Sequence, residues 1–284
     1  MGVGAFVVAG AGQLAAAPLD HPVPEAQSSA VDISTLPSVH NSATATFVVA
    51  QHAKHGGEGG EGEGGEKGAA PLPPDLDYAL KISLVRGHLL IGDELVKEGQ
   101  WNAALPHFLH PIEELYGGLR PRLKEYKTPP FQAALKVLAN AVKTKKGGDD
   151  YAKALKAVND ALAAADAGLK EKQADWDGFV TETAIETLKT STGEYEEAIV
   201  KGRIAKPVEY QDARGFIWHA EKMIESVAPA LEKKDAAALA EVRAGIAELK
   251  KAFPTAMPPK TPVKDYGTVL QDVSRIELAA GKLM

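Results

Sequence analysis

The sequence predicts an all-α protein: an antiparallel up-and-down helical bundle, or two in series, of about eight helices after a disordered Gly/Glu-rich N-terminal tail. Three observations carry this expectation. From about residue 75 onward, apolar residues recur at steps of three and four, and no segment alternates with the period of a strand. The composition is 45% hydrophobic with only 6% aromatics, and alanine, the best helix former, is conspicuous throughout. Glycine and proline punctuate the helical stretches with only a few residues between them, and such short connections make consecutive helices antiparallel neighbours.

Taken in order, Leu76 to Lys97 places Leu80, Leu84, His88, Ile91 and Leu95 on one stripe, and Gly99 closes the helix. A second helix runs from about Trp101 to Tyr126, interrupted by Pro111. Pro129-Pro130 opens a third, which ends at Lys145-Lys146-Gly147-Gly148, cations and glycines where a C-terminus favours them. Tyr151 to Lys172 follows with Leu155, Val158, Leu162 and Ala165 on one face. The next helix spans Trp176 to Lys201 and stops at Gly202. Pro207 then suits a first helical turn, opening a helix to about Leu231 that contains Pro229. Asp235 caps the next, to about Phe253; PTAMPPKTP is a rigid loop, and a last helix covers Val263 to Leu283. No strand is expected. The domain boundary falls near Gln173 to Trp176, giving bundles over 75-173 and 174-284, the second packed on the first.

The N-terminal part reads differently. Residues 1-17 carry the apolar run Val3 to Gly10 and the small-residue segment Ala15-Ala16-Ala17, the core and cleavage region of a secretory signal, although no Lys or Arg precedes the run. Residues 18-74 lack a persistent period, and HAKHGGEGGEGEGGEKGAAPLPP cannot bury apolar surface against the entropy of ordering, so it reads as an acidic linker. The expected location is therefore periplasmic or secreted. A net charge of −6 disfavours a general nucleic-acid binder. The absence of cysteine excludes disulfides, thiolate metal sites, iron-sulfur clusters and covalent c-type haem attachment. No window reaches the ~20 apolar residues of a membrane span.

Candidate chemistry lies in the histidines and carboxylates. In LPHFLHPIEELYGG, His107, His110 and Glu114 step by three and four along one helical face, and imidazole with carboxylate is a common ligand set for iron, zinc and copper. Pro111 complicates this face, because it removes an amide donor and biases His110 away from helical angles. Glu113 and Glu114 would also suit the first turn of a new helix for the macrodipole alone, so a metal or haem site and a plain bent helix both remain open. His88 supports the site: it sits about eleven residues before Gly99 and His110 about eleven after it, at similar depth in a hairpin. Gly87 and Gly92 flank it, each costing roughly 1 kcal/mol in a helix interior, which suggests close approach of a neighbour. A second patch, Glu209, Asp212 and His219 along one stripe with Glu182 from the preceding helix, competes with a reading as surface ion pairs. The tail pair His52 and His55 beside glutamates would hold an ion only weakly. Glu-x-x-His, His-Glu-x-x-His, Gly-x-Ser-x-Gly, the phosphate loop and the dinucleotide fingerprint are absent, so no enzyme activity is expected.

EYEEAIVKGRIAKPVEYQDARGFI, Glu194 to Ile217, resembles the extracytoplasmic helical region of bacterial high-affinity iron permeases, with Tyr195, Gly202, Ile204, Glu209, Tyr210 and Phe216 at matching positions. The permease's membrane helices and Arg-Glu-x-x-Glu ligands are not present in this chain. The helical, histidine-plus-glutamate character also resembles imelysin-like periplasmic iron-uptake proteins, although Gly87-His88 is followed by Leu89-Leu90-Ile91 rather than by the glutamate of their signature. The resemblance implies an accessory of metal uptake that binds iron, another divalent metal or haem and works with a membrane metal transporter. The alternative is a structural or interaction protein of the envelope with no ligand.

Overall fold

A computed structural model describes residues 71-284. The expected signal segment, nearly all of the acidic linker and the tail histidines lie outside the described residues. The described chain is all-α except for one minute hairpin. Its helices are α1 (Pro74–Lys97), α2 (Trp101–His110), α3 (Tyr116–Leu119), α4 (Gln132–Lys143), α5 (Asp149–Lys170), α6 (Trp176–Ala198), α7 (Pro207–Leu249) and α8 (Tyr266–Ala280).

Proline, glycine and short side chains set the boundaries. Pro74 starts α1 in the first turn, where a missing amide costs nothing, and Gly99, at φ +76°, lets the chain turn back into α2. Asp175 caps α6 by accepting from the Gly178 amide at 3.0 Å, and Asp265 caps α8 through Thr268 at 2.8 Å. Within the span of α7, Asp235 has φ −157° and ψ 96° and accepts from the Ala238 amide at 2.9 Å, so it caps a second helical segment, as its place in the sequence suggests.

Three expectations need correction. First, the helix from Trp176 stops at Ala198, and Ile199–Val200 pairs antiparallel with Arg203–Ile204. The cause is local: two β-branched residues precede Lys201-Gly202, both at positive φ (51° and 74°), the geometry of a tight hairpin turn. Second, α2 does not continue to Tyr126. Pro111–Leu115 form a π-helical turn whose closing bond runs from the Tyr116 amide to the Pro111 carbonyl, and the chain leaves helix after Leu119 through a 3-10 turn. Third, His110 keeps helical angles (φ −50°, ψ −44°); the wider π turn absorbs the proline ring instead of a bend at His110.

The apolar interior falls into two clusters. One joins α1, α2, α4 and α5 through residues such as Val85, Leu89, Phe108, Leu138 and Leu162. The other joins α6, α7 and α8 through Leu188, Tyr210, Ile224, Val242 and Val273. Helix α1 lies between them and buries most of its circumference rather than the single stripe its periodicity suggests. Its seam with α6 and α7 is polar: Ser83 bonds Thr187 at 2.7 Å, Glu94 pairs with Arg214 at 2.7 Å, and His88 meets Asp212 at 2.7 Å.

Candidate metal centre

The seam is held close by glycine. A Cβ on Gly215 would lie 2.4 Å from the Gly87 carbonyl oxygen, and one on Gly87 would lie 2.4 Å from the Phe216 ring. Only a glycine pair lets α1 and α7 approach this closely. One residue after Gly87 stands His88, and three residues before Gly215 stands Asp212; the crossing therefore presses these two side chains together. Gly92 does the same toward α2, since a Cβ there would meet Phe108 at 2.7 Å.

Asp212 is the hub. Its side chain is 2% exposed, and three imidazoles from two other elements surround it. Its Oδ1 lies 2.7 Å from His88 Nδ1 and 2.7 Å from His107 Nδ1, while His110 Nδ1 is 3.2 Å from Oδ2. The imidazole centroids stand 5.2 Å (His88 to His110), 6.3 Å (His107 to His110) and 6.4 Å (His88 to His107) apart. Gln211 orients the set: its Nε2 donates to the Ala256 carbonyl at 3.3 Å, which turns its Oε1 toward His107 Nε2 at 3.0 Å.

Burial alone would raise the Asp212 pKa, but the positive field of His88 and His107 and hydrogen bonds from His107 and His110 hold it well below the ordinary carboxylate range. For His110, burial acts downward, and the Asp212 hydrogen bond and charge, with Glu114 and Glu209, outweigh it and raise the group to about 9. On the far side of Asp212 stand Glu194 and Glu209. Burial first, then Asp212 and neighbouring glutamates, push Glu194 well above its usual value; burial and Asp212 also raise Glu209, against Lys206 and His110. Ionising these carboxylates beside one another is therefore costly, and a cation would relieve that cost.

Three overlapping sets of donors have ligand atoms all within 4.8 Å of one another: His88, His110 and Glu114; His88, His107 and Asp212; and Glu194, Glu209 and Asp212. Ligands about 2.1 Å from a shared ion lie roughly 3.0–3.4 Å apart. The two 2.7 Å contacts of His88 and His107 are therefore a few tenths of an ångström short of the spacing in an ion-filled centre, whereas the 3.2 Å contact of His110 falls within it. Nitrogen and oxygen donors without thiolate suit iron, zinc, copper or manganese.

The structure thus brings together His88, His107, His110 and Glu114, and it adds Asp212 and Glu209, which the sequence assigned to a separate patch. That patch does not form as a unit. Glu182 is exposed on α6, and His219, two turns beyond Asp212 on α7, lines a different cavity. The reason is helical pitch: Glu209 and Asp212 sit at the α1 crossing, and His219 lies about 10 Å further along the axis from Asp212. Sequence reasoning missed Glu194 and Gln211. Glu194 does open the quoted segment EYEEAIVKG, but nothing in its spacing distinguishes it from Glu196 and Glu197.

Residues 170–284, comprising α6 to α8, match the family model of the iron permease-associated 4-helix bundle domain. The match links this part of the chain to iron permeases and has no imelysin-like component. No curated protein and no solved structure matches the chain. Asp212, Glu194 and Glu209 fall inside the matched part; His88, His107, His110 and Glu114 fall outside it, on α1, α2 and the π turn.

Proposed function

We propose that this chain binds iron, or a divalent metal of similar size, as cargo at the centre around Asp212 and serves as an accessory of metal uptake beside an iron permease, in the periplasm or secreted. One observation carries the reading: a buried carboxylate shared by three histidines from the first half of the described chain, with the ligand atoms of His88, His107 and Asp212 within 4.8 Å of one another, and Asp212 itself within the part matched to the iron permease-associated domain. Haem finds less support, since imidazole centroids 5.2–6.4 Å apart around one carboxylate suit a single ion rather than a macrocycle. A membrane transporter as partner follows from the domain match and the expected export. Among the described residues no helix is long and apolar enough to cross a membrane.

An ion at this centre must widen the two short contacts by a few tenths of an ångström and replace the protons within them. An ionised carboxylate only accepts, so the imidazole nitrogens facing Asp212 carry protons; an entering cation must displace them, and binding releases protons. Glu114, exposed, and Glu194 and Glu209, half-buried, supply carboxylates on the outer side of the centre. A structural reading remains the rival, favoured by the fact that Asp212 satisfies its histidines without any ion. Anaerobic titration with ferrous ion, and with zinc and manganese, separates the two: binding with proton release supports the metal reading. Protein that binds none of these more tightly than micromolar background is a structural network.

A further inference from the structure

Asp212 has two oxygens and two sets of neighbours. His88 Nδ1 and His107 Nδ1 both meet Oδ1 at 2.7 Å, whereas Oδ2 meets His110 Nδ1 at the longer distance of 3.2 Å and keeps a lone pair for a further partner. Glu194 and Glu209 bring carboxylate oxygens within 4.8 Å of each other and of Asp212, and this set shares only Asp212 with the set of His88 and His107. No larger group of donors among the described residues meets that spacing. Donors about 2.1 Å from one ion stand at most about 4.2 Å apart, so a single ion does not serve both sets as they stand.

The path of the chain builds the second set. Glu194 lies five residues before the Ile199–Ile204 hairpin and Glu209 five after it, so α6 and α7 return them to one level; Glu209 and Asp212, three apart, share a face of α7. The carboxylate end of Glu194 lies deep in the protein, yet among the described residues it accepts no hydrogen bond and meets no cation. Glu209 fares little better, because Lys206, 3.9 Å from it, pairs more closely with Glu197 at 2.8 Å. A deep carboxylate without donor or counter-charge is costly, and one whose oxygens converge with two other carboxylates gains its partner from a cation. Charge points the same way: two divalent ions balance Asp212, Glu194, Glu209 and Glu114, and one ion leaves half of that charge uncompensated.

We propose that Glu194, Glu209 and Asp212 hold a second cation, so that Asp212 bridges two ions, one on its histidine side and one on its glutamate side. This second site rests on the reading of Asp212 as a metal ligand and adds to it. Paired ions in such centres stand about 3.5–4 Å apart. Three carboxylates without imidazole suit a hard cation such as manganous or ferrous ion rather than copper. Glu209, 25% exposed, opens this side to solvent, and the charge of the first ion makes the second the weaker of the two.

The full-length protein is titrated with manganous chloride, bound ions are counted by equilibrium dialysis, and their coupling is read by electron paramagnetic resonance. The expected result is a second, weaker ion per chain whose arrival replaces the signal of an isolated ion with the multiline spectrum of a coupled pair. Glu194→Gln and Glu209→Gln preserve side-chain size. Each should retain the first ion and the helical circular dichroism, lose the coupled spectrum, and weaken the second ion about tenfold or more, at least the loss that an outer-shell partner causes. Saturation at one ion or none, two ions without coupling, or a coupled pair that survives both substitutions overturns the second site. One ion that neither glutamine variant affects leaves the Asp212 centre standing without a second site. Absence of bound manganese, ferrous ion and zinc alike removes both.

Discussion

At the scale of single residues, Asp212 and His219 show two solutions to placing polar groups in a helical seam. Asp212 is compensated by three imidazoles and stays ionised; His219 is uncompensated at Nε2 and stays neutral. Both have depressed native pKa values and lose stability with acid, whereas His110, whose native pKa is raised, acts with the opposite sign. His219 has a native pKa near 3 against about 6.5 unfolded, so below pH 6.5 the unfolded chain takes up a proton that the native chain refuses, and stability falls with acid. His110 has a native pKa of about 9, so its contribution is complete below about 6.5 and is lost as pH rises toward 9. Each acts with a limiting slope of about 1.4 kcal/mol per pH unit. Urea unfolding across pH should therefore give a maximum near neutrality. His219→Leu should flatten the acid arm between pH 6.5 and 4 and leave the alkaline arm intact; an unchanged acid arm would show that His219 titrates normally. The same His110 proton competes with a metal, so metal affinity should rise with pH up to about 9.

The elements explain why these side chains meet. The α1–α7 crossing depends on Gly87 and Gly215 facing each other, and Gly215→Ala would set a methyl against the Gly87 backbone oxygen, which cannot yield as a flexible side chain can. The expected cost is about 1–3 kcal/mol of stability, typical of overpacking, with weaker metal binding as α1 moves off α7. Calorimetric melting and a zinc titration of the variant check both; a variant as stable and as tight as the parent would mean the helices do not need this closeness. Much of this was legible in the sequence. The helices around His88, His107 and His110, the hairpin that sets them at one depth, and close approach at Gly87 and Gly92 all follow from spacing and composition. The partner was not. Periodicity places Asp212 and His219 on one stripe of α7, but it carries no information on which turn of α7 crosses α1, so spacing alone groups Asp212 and Glu209 with Glu182 and His219. The π turn was equally hidden, because Pro111 signals a disturbed helix without saying whether bend or widened turn accommodates it.

On the scale of the whole molecule, two apolar clusters are joined along a polar seam, and the candidate metal centre draws ligands from both sides of it. The matched permease-associated part supplies Glu194, Glu209 and Asp212, and α1, α2 and the π turn supply the histidines. An ion held by both should tie the halves together. Hydrogen exchange on adding zinc is expected to slow in α1 and α2 together with α6 and α7, and a saturating ion at about a hundred times its dissociation constant should add roughly 2.7 kcal/mol to stability. Protection confined to α6 and α7 would place the ion among the glutamates alone.

If Asp212 unites the histidines into a cation site, ferrous-ion binding by the parent and by Asp212→Asn, compared under anaerobic conditions, shows it most directly. The parent should hold about one tightly bound ion per chain, with proton release, and Asp212→Asn should bind at least about a hundredfold more weakly with its helical content by circular dichroism retained, since the amide cannot replace a charged ligand. Equal binding by the two proteins, or binding by neither, would contradict it.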